Sequence, residues 1–219
     1  MKTKLIFILF FSLLFGNVYS QKEDSVKVAK FVYKPNFTVG FDVLNAGMSF
    51  FSDRKLYQGF ISSHVKNNIH GILSVGFEKN TYDKNNYLAE GSGPFLKIGA
   101  FYMMAMDKEN PDNGFYAGGN LAGSFYSQEY FAVPIRGYGG VDFTQSFPKS
   151  TQSTYWLEAN VGGRVNLFDT KFLVDVSIQP KYILFSTKQE DIIPMIVPGF
   201  GNSSSKFNLG FMWSFAYNF

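Results

Sequence analysis

Apolar and polar residues alternate at period two through most of this chain, the spacing of a β-strand with two unlike faces. The segment FNLGFMWSFAYNF is the plainest instance. Phe207, Leu209, Phe211, Trp213, Phe215, Tyr217 and Phe219 share one face. Asn208, Gly210, Met212, Ser214, Ala216 and Asn218 share the other. Soluble strands usually run about 5–6 residues, and an apolar face this long and aromatic needs a covering layer. Lipid would supply one, because a strand of about 9–11 residues tilted about 45° crosses a bilayer's hydrocarbon core.

The same alternation predicts strands over 36–46, 56–66, 70–82, 94–106, 115–127, 154–167, 171–185 and 206–219. Short connections follow the second, fourth and sixth; long ones (47–55, 83–93, 128–153 and 186–205) follow the others. Short turns at one end and long loops at the other is the arrangement of an outer-membrane barrel. The expected fold is therefore all-β, an eight-stranded antiparallel up-and-down transmembrane barrel spanning 36–219, with both ends periplasmic. Segment 128–153 is its least regular part and leaves room for an extra hairpin.

Strands six and seven allow a stricter reading. If Asp169 and Thr170 form a two-residue turn, opposed residue numbers total 339. That register sets Glu158 against Lys181 and Arg164 against Asp175 on the polar face, two complementary pairs. Leu157, Ala159, Val161, Val165, Val174, Val176 and Ile178 lie on the other face. One face suits lipid and the other a salt-bridged lumen. Asp42, Glu78 and Lys97 fall on inward positions of their own strands, so the expected lumen network is Asp42, Glu78, Lys97, Glu158, Arg164, Asp175 and Lys181.

The N-terminal segment adds a destination. A basic MKTK, an apolar LIFILFFSLLFG and a small residue at Ser20 read as a cleaved secretory signal peptide over 1–20, with 21–35 as a periplasmic lead-in. The chain has no cysteine, which excludes disulfides and a lipidated N-terminal Cys. Lys2 and Lys4 would leave with the signal, so 20 basic and 17 acidic residues become 18 and 17. Such a balance offers no basic face for nucleic acid. The 26 Phe, 13 Tyr and 21 Gly at near-zero mean hydropathy suit an aromatic girdle around a packed lumen.

EGSGPFLKIG (90–99), YWLEANVGGRVNL (155–167), IPMIVPGFG (193–201) and GFMWSFAYNF (210–219) together resemble an uncharacterised Bacteroidota outer-membrane family, a domain-of-unknown-function group of barrels of about 200 residues. The resemblance runs over 90–219 and more weakly over 36–82. Its most specific parts are Trp156-x-Glu158 and Pro198–Gly201. The chain departs from the family pattern at Ala100-Phe101-Tyr102, where an acidic residue would precede an aromatic, and in 128–153. The resemblance implies a barrel in the outer membrane beside a small lipoprotein, within an envelope-biogenesis complex. It implies no chemistry.

The residues themselves offer little chemistry. His64 and His70 flank the second turn, at the end opposite the outer leaflet, with Ser62, Ser63 and Ser74 nearby. Rim or lumen hydrogen bonding accounts for them better than a His-activated nucleophile does. Glu78 and Glu158 would form an acid pair, but Lys97, Arg164 and Lys181 are available to neutralise them. GYGG (137–140) and GFG (199–201) lack the strand-then-helix context of a phosphate loop. Asp107, Glu109, Asp112 and Asn113 do not have EF-hand spacing. No catalytic, cofactor or metal residue is expected, and no cofactor.

An eight-stranded barrel is just filled by its side chains, and Phe60, Phe101 and Trp156 point inward, which disfavours a wide pore. The expected role is a non-enzymatic scaffold or partner-binding subunit. A small barrel enzyme acting on lipid or lipopolysaccharide, and a narrow channel or small-ligand barrel, stay open as alternatives. Ile193, Met195, Val197 and Phe200 are the expected docking loop, since clustered exposed apolar residues mark interaction surfaces; folding over the mouth as a plug is the alternative. Trp213, Phe215, Tyr217 and Phe219 resemble the C-terminal signal read by the outer-membrane assembly machinery. The expected partners are thus outer-membrane lipid and lipopolysaccharide, that machinery, and other outer-membrane proteins or a lipoprotein.

Overall fold

A computed structural model describes residues 36–66, 68–107, 112–137, 142–168, 170–189 and 192–219. The signal peptide and the lead-in over 21–35 lie outside the described residues. The chain runs β1 (Phe37–Asp42), a one-turn helix α1 (Val43–Met48), β2 (Lys55–Lys66), β3 (Ile69–Lys84), β4 (Tyr87–Met106), β5 (Gly114–Arg136), β6 (Asp142–Asn166), β7 (Phe172–Ser186), a miniature hairpin of β8 (Ile196–Val197) and β9 (Gly201–Asn202), and β10 (Phe207–Asn218).

Eight of these strands close into one antiparallel ring, in the order β1-β10-β7-β6-β5-β4-β3-β2. Every neighbour in the ring is a neighbour in sequence, apart from the β8–β9 excursion and the closing pair β1–β10. The register between β6 and β7 is the one the charges require: Glu158 opposes Lys181, Arg164 opposes Asp175, and a bulge follows only at Tyr155/Trp156.

The alternation becomes a physical inside and outside. Leu96, Ile98, Tyr102 and Met104 of β4 are exposed, whereas Phe95, Lys97, Phe101 and Met103 are buried. On β10, Phe207, Leu209, Phe211, Trp213 and Phe215 face out while Met212, Ser214 and Ala216 face in. Apolar side chains therefore cover the exterior, and the lumen holds the charges.

Two expectations need correction. The first strand stops at Asp42 rather than continuing to 46. The Asp42 carboxylate accepts from the Asn45 backbone N–H at 3.1 Å and so caps α1, which turns Val43 out of the ladder. Segment 83–93 is not a loop: β3 and β4 continue past the ring and meet at a two-residue turn. Asn85 and Asn86 form it with φ of 54° and 62°, the conformation tight hairpins need and Asn tolerates.

Segment 128–153 adds no strands to the ring. It lengthens β5 and β6 into a hairpin that rises beyond it, with Gln128 opposite Ser150 and Arg136 opposite Asp142. Tyr130, Val133, Phe147 and Ala89 pack there into a separate small core. That head and the β3–β4 tip share one end of the barrel, which we call the hairpin end. The short turns lie at the other, the turn end.

Candidate functional site

All seven residues of the expected lumen network are buried, in two groups along the barrel. Near the turn end, Arg164 Nε donates to Asp175 at 2.5 Å, and the Tyr116 hydroxyl donates to the other oxygen of Asp175 at 2.6 Å. The guanidinium also stacks on Phe101, 4.4 Å from the ring centroid. His70 continues the stack on Phe101, with centroids 4.9 Å apart, and His64 lies on His70 at 4.7 Å. The two histidines are thus part of an aromatic column. Asp175, the carboxylate nearest to them in this group, is held by Arg164 and Tyr116.

Nearer the hairpin end, Glu158 is the hub. Lys97 Nζ donates to it at 2.9 and 3.2 Å, Asn120 donates at 3.1 Å, and Lys181 stands 3.7 Å away. Lys97 is thus the tighter partner, although the strand register alone singles out Lys181. Glu78 binds Arg54 Nε at 2.7 Å. Asp42 is spent on the cap of α1 rather than on an ion pair. Arg54 escaped the sequence reading because a loop has no periodicity to show which way a side chain points. Tyr116 has a weaker signal, its inward position on β5.

Backbone from the segment between β7 and β10 completes this second group. Gly199 N–H donates to Glu78 at 2.7 Å, and Gly199 C=O accepts from Lys181 Nζ at 2.8 Å. Gly199 has φ of 79°, and a Cβ there would stand 2.5 Å from the Phe95 ring, so only glycine fits both the turn and the approach. The segment enters the mouth on this anchor. Val197 and Phe200 are buried in a cluster with Leu56, Phe95, Tyr126 and Trp156, and the Phe200 and Trp156 rings meet edge-on at 6.0 Å.

The exposed docking loop is corrected accordingly. Val197 and Phe200 are inside the barrel and Met195 packs against the head's small core; of the four residues and Ile193's neighbours, Ile193 itself is the exposed one, at 57%. Burial in the lumen satisfies the apolar run 192–200 without a partner. Tyr130 ties the segment to the head by donating to the Ile193 carbonyl at 3.1 Å. Burial pushes the Tyr130 hydroxyl up to about 12, so it stays a donor at neutral pH.

Between Lys97 and Tyr116 the lumen is packed. A void of about 10 Å³ lies among Lys97, Phe101, Tyr116, Glu158 and Met212, about the space of one water. The larger opening is in the wall. Because β1 ends at Asp42, which opposes Ser214, β10 has no β1 partner from Phe207 to Trp213. Likewise β2 has none before Gly59. Helix α1 and the turn after it span this notch. A cavity of about 450 Å³ passes through it, lined by lumen residues Gln58, Gln179 and Lys181 and by outward-facing Leu209 and Phe211. Among the described residues no group of three or more His, Cys, Asp or Glu could hold a metal ion.

The family model described as Domain of unknown function (DUF6048) matches residues 1–219. No curated protein matches the chain by sequence. Among solved structures, the chain is similar to the crystal structure of Ail, the attachment invasion locus protein of Yersinia pestis, in complex with the heparin analogue sucrose octasulfate. The identity is 10% and the TM-score 0.41, over 85% of this chain and 100% of that one.

Proposed function

The chain belongs to the DUF6048 family, whose description assigns no activity, and from its own residues we propose that it is a sealed outer-membrane barrel that serves as a partner-binding subunit of an envelope complex. Its lipid-facing belt supports the membrane placement. Phe125, Tyr155 and Phe185 cluster outside the barrel toward the hairpin end, with ring centroids 6.0 and 6.4 Å apart. Phe172, Phe215 and Tyr217 cluster toward the turn end, at 5.3 and 5.0 Å. Leu157, Val161 and Val165 lie between them on β6 and are exposed. The ten residue steps from Tyr155 to Val165, at about 3.3 Å each and tilted about 45°, span roughly 23 Å. The apolar band between aromatic girdles of such barrels is about 25 Å tall. A cleaved signal peptide at 1–20, periplasmic ends and recognition of the closing aromatics by the assembly machinery belong to the same proposal.

The filled lumen carries the functional half of the reading. A barrel plugged by Val197 and Phe200 and cross-linked by Glu158 and Arg164 offers no passage. Its histidines stack on Phe101 at the turn end, and we read the barrel as non-enzymatic. What the molecule offers is a rigid head on a membrane anchor. Phe131 and Phe143 on the head, and Ile193 on the segment that Tyr130 ties to it, are exposed at 47%, 51% and 57%, apolar surface that an outer-membrane protein or lipoprotein would cover.

The test is purification in mild detergent from its native membrane. Wild type is expected to bring down a stoichiometric protein partner. The variant Phe131→Ser, Phe143→Ser, Ile193→Ser should lose it while keeping its heat-modifiable folded band. A lone wild-type barrel under the mildest extraction, or retention of the partner by the triple variant, would overturn the head as the docking surface.

A further inference from the structure

We propose that the mouth of the barrel is a peptide-binding site, that residues 193–203 occupy it as an internal ligand, and that a segment of the protein partner takes their place. The proposal rests on the partner-binding reading above and gives that partner a chemistry: a turn carrying a β-branched residue and, three positions later, an aromatic one.

The barrel holds this segment as a receptor holds a peptide. Tyr130 donates to the Ile193 carbonyl at 3.1 Å and Lys181 to the Gly199 carbonyl at 2.8 Å. Asn208 Nδ2 donates to the carbonyls of Phe200 and Asn202 at 2.8 and 3.2 Å. Glu78 accepts from the Gly199 N–H at 2.7 Å. Four side chains from β3, β5, β7 and β10 thus meet five backbone groups. Among the described residues the side chains of 193–203 return no hydrogen bond to the ring or the head; those of Asn202 and Ser203 bond their own loop. Val197 and Phe200 instead fill an apolar socket of Leu56, Phe95, Tyr126, Trp156 and Ile183. Main-chain hydrogen bonds for affinity and pockets for particular side chains are how peptide receptors read an extended or turned segment.

The occupant is closed on itself, so it can leave as a unit. Ser203 N–H donates to the Met195 carbonyl at 3.0 Å and Phe200 N–H to the Val197 carbonyl at 3.1 Å. The Ser203 hydroxyl donates to the Pro194 carbonyl, and Ile196 and Val197 pair with Asn202 and Gly201. The charges it touches also keep partners without it. Glu78 stays with Arg54 at 2.7 Å, and Lys181 has Glu158 at 3.7 Å. The main loss on leaving is the burial of Val197 and Phe200, which an incoming peptide with the same two side chains restores. Below the socket Lys97 and Glu158 remain joined at 2.9 Å, so an exchange of occupants opens no channel.

An occupant joined to β7 and β10 competes with any free peptide at an effective concentration in about the millimolar range. The intact barrel therefore binds a free peptide weakly, and a barrel whose own loop is displaced binds it well. Gly91 of β4 supplies a lock. A Cβ there would stand 3.4 Å from the Ile196 Cβ, at the short end of the roughly 3.5–4.5 Å that a disulfide bridges. The chain has no cysteine of its own, so an introduced pair can only join itself.

The test uses a fluorescent peptide of residues 193–203, IPMIVPGFGNS, and the purified full-length barrel in detergent. Two variants displace the loop by different means: Gly199→Val, and Val197→Ser with Phe200→Ser. Each should bind the peptide at least about tenfold more tightly than wild type. The oxidised Gly91→Cys, Ile196→Cys barrel should bind none until it is reduced, and a scrambled peptide should bind nothing. Equal binding of the scrambled peptide, binding that the lock leaves unchanged, or no binding by a displaced variant that keeps its heat-modifiable band would overturn the site. Hydrogen exchange of the wild type needs no variant. The amides of Gly199, Phe200 and Ser203 should exchange together, at least about tenfold faster than those of β6; protection equal to that of β6 would overturn the removable occupant. Peptide binding by a barrel that brings down no protein from its native membrane would overturn the partner-binding reading and not the site.

Discussion

Replacing Glu158 with Ala is expected to destabilise the barrel more than any other single substitution among its lumen charges. The carboxylate holds Lys97 at 2.9 Å and Asn120 at 3.1 Å, and has Lys181 at 3.7 Å. Its removal leaves two buried ammonium groups, 2% and 6% exposed, without the carboxylate they share. Breaking one buried pair costs about 3–5 kcal/mol, and two stranded cations put this variant at or above the upper end. Glu158→Gln keeps an acceptor and should lose less. The triple change Lys97→Met, Glu158→Met, Lys181→Met removes every charge at once and should recover much of the loss, because an apolar core of similar volume often matches a buried ion cluster. Urea midpoints from the heat-modifiable band decide the matter. An Ala variant within about 1 kcal/mol of wild type would show that the cluster is solvated.

The second large effect is expected at Gly199, the anchor of the plug. A β-branched side chain meets two obstacles there. The backbone at φ of 79° costs such a residue about 1–3 kcal/mol. Its Cβ would collide with the Phe95 ring at 2.5 Å, an overpacking worth about 1–3 kcal/mol more. Gly199→Val should therefore pull the segment around 194–203 out of the mouth and leave Glu78 and Lys181 without their backbone partners. The ring has its own hydrogen-bond ladder and should survive. In a Trp213→Phe background Trp156 is the sole tryptophan. The Val variant should then shift its emission to the red and admit acrylamide, because Phe200 no longer covers the indole. A folded Val variant with Trp156 still shielded would mean that the plug is held elsewhere.

The wall was legible in the sequence because an apolar outer face and a charged lumen enforce strict alternation. β4, β6, β7 and β10 all carry it, and the pairing of Glu158 with Lys181 and Arg164 with Asp175 set a register that the coordinates share. Legibility ends where that constraint does. Beyond the ring, β6 exposes the polar run Thr144, Gln145 and Ser146, and a polar run looks like a loop. Val43 and Leu44 suit either period, so nothing but the capping geometry of Asp42 shows that β1 stops and a helix begins. The run 192–200 is apolar enough to dock or to be buried. Only the height of the mouth, set by eight strands together, brings Val197 and Phe200 against Trp156. The notch follows from the shortness of one strand, which no local pattern announces.

In the proposed function, lipid covers the outside of this barrel and nothing flows through the inside. Its two tryptophans report on these two claims separately: Trp213 is 50% exposed on the outer face and Trp156 is fully buried in the lumen. Single-tryptophan proteins are accessible by Phe replacement. The Trp156 indole N–H has no hydrogen-bond partner among the described residues, so its loss costs packing but no hydrogen bond. The decisive measurement is fluorescence quenching of both variants in liposomes, by lipids brominated along the acyl chain and by aqueous iodide. Trp213 should be quenched strongly by the bromolipid, and Trp156 should be indifferent to iodide. A Trp213 that ignores bromolipid, or a Trp156 that iodide reaches in the folded protein, would contradict the sealed membrane barrel.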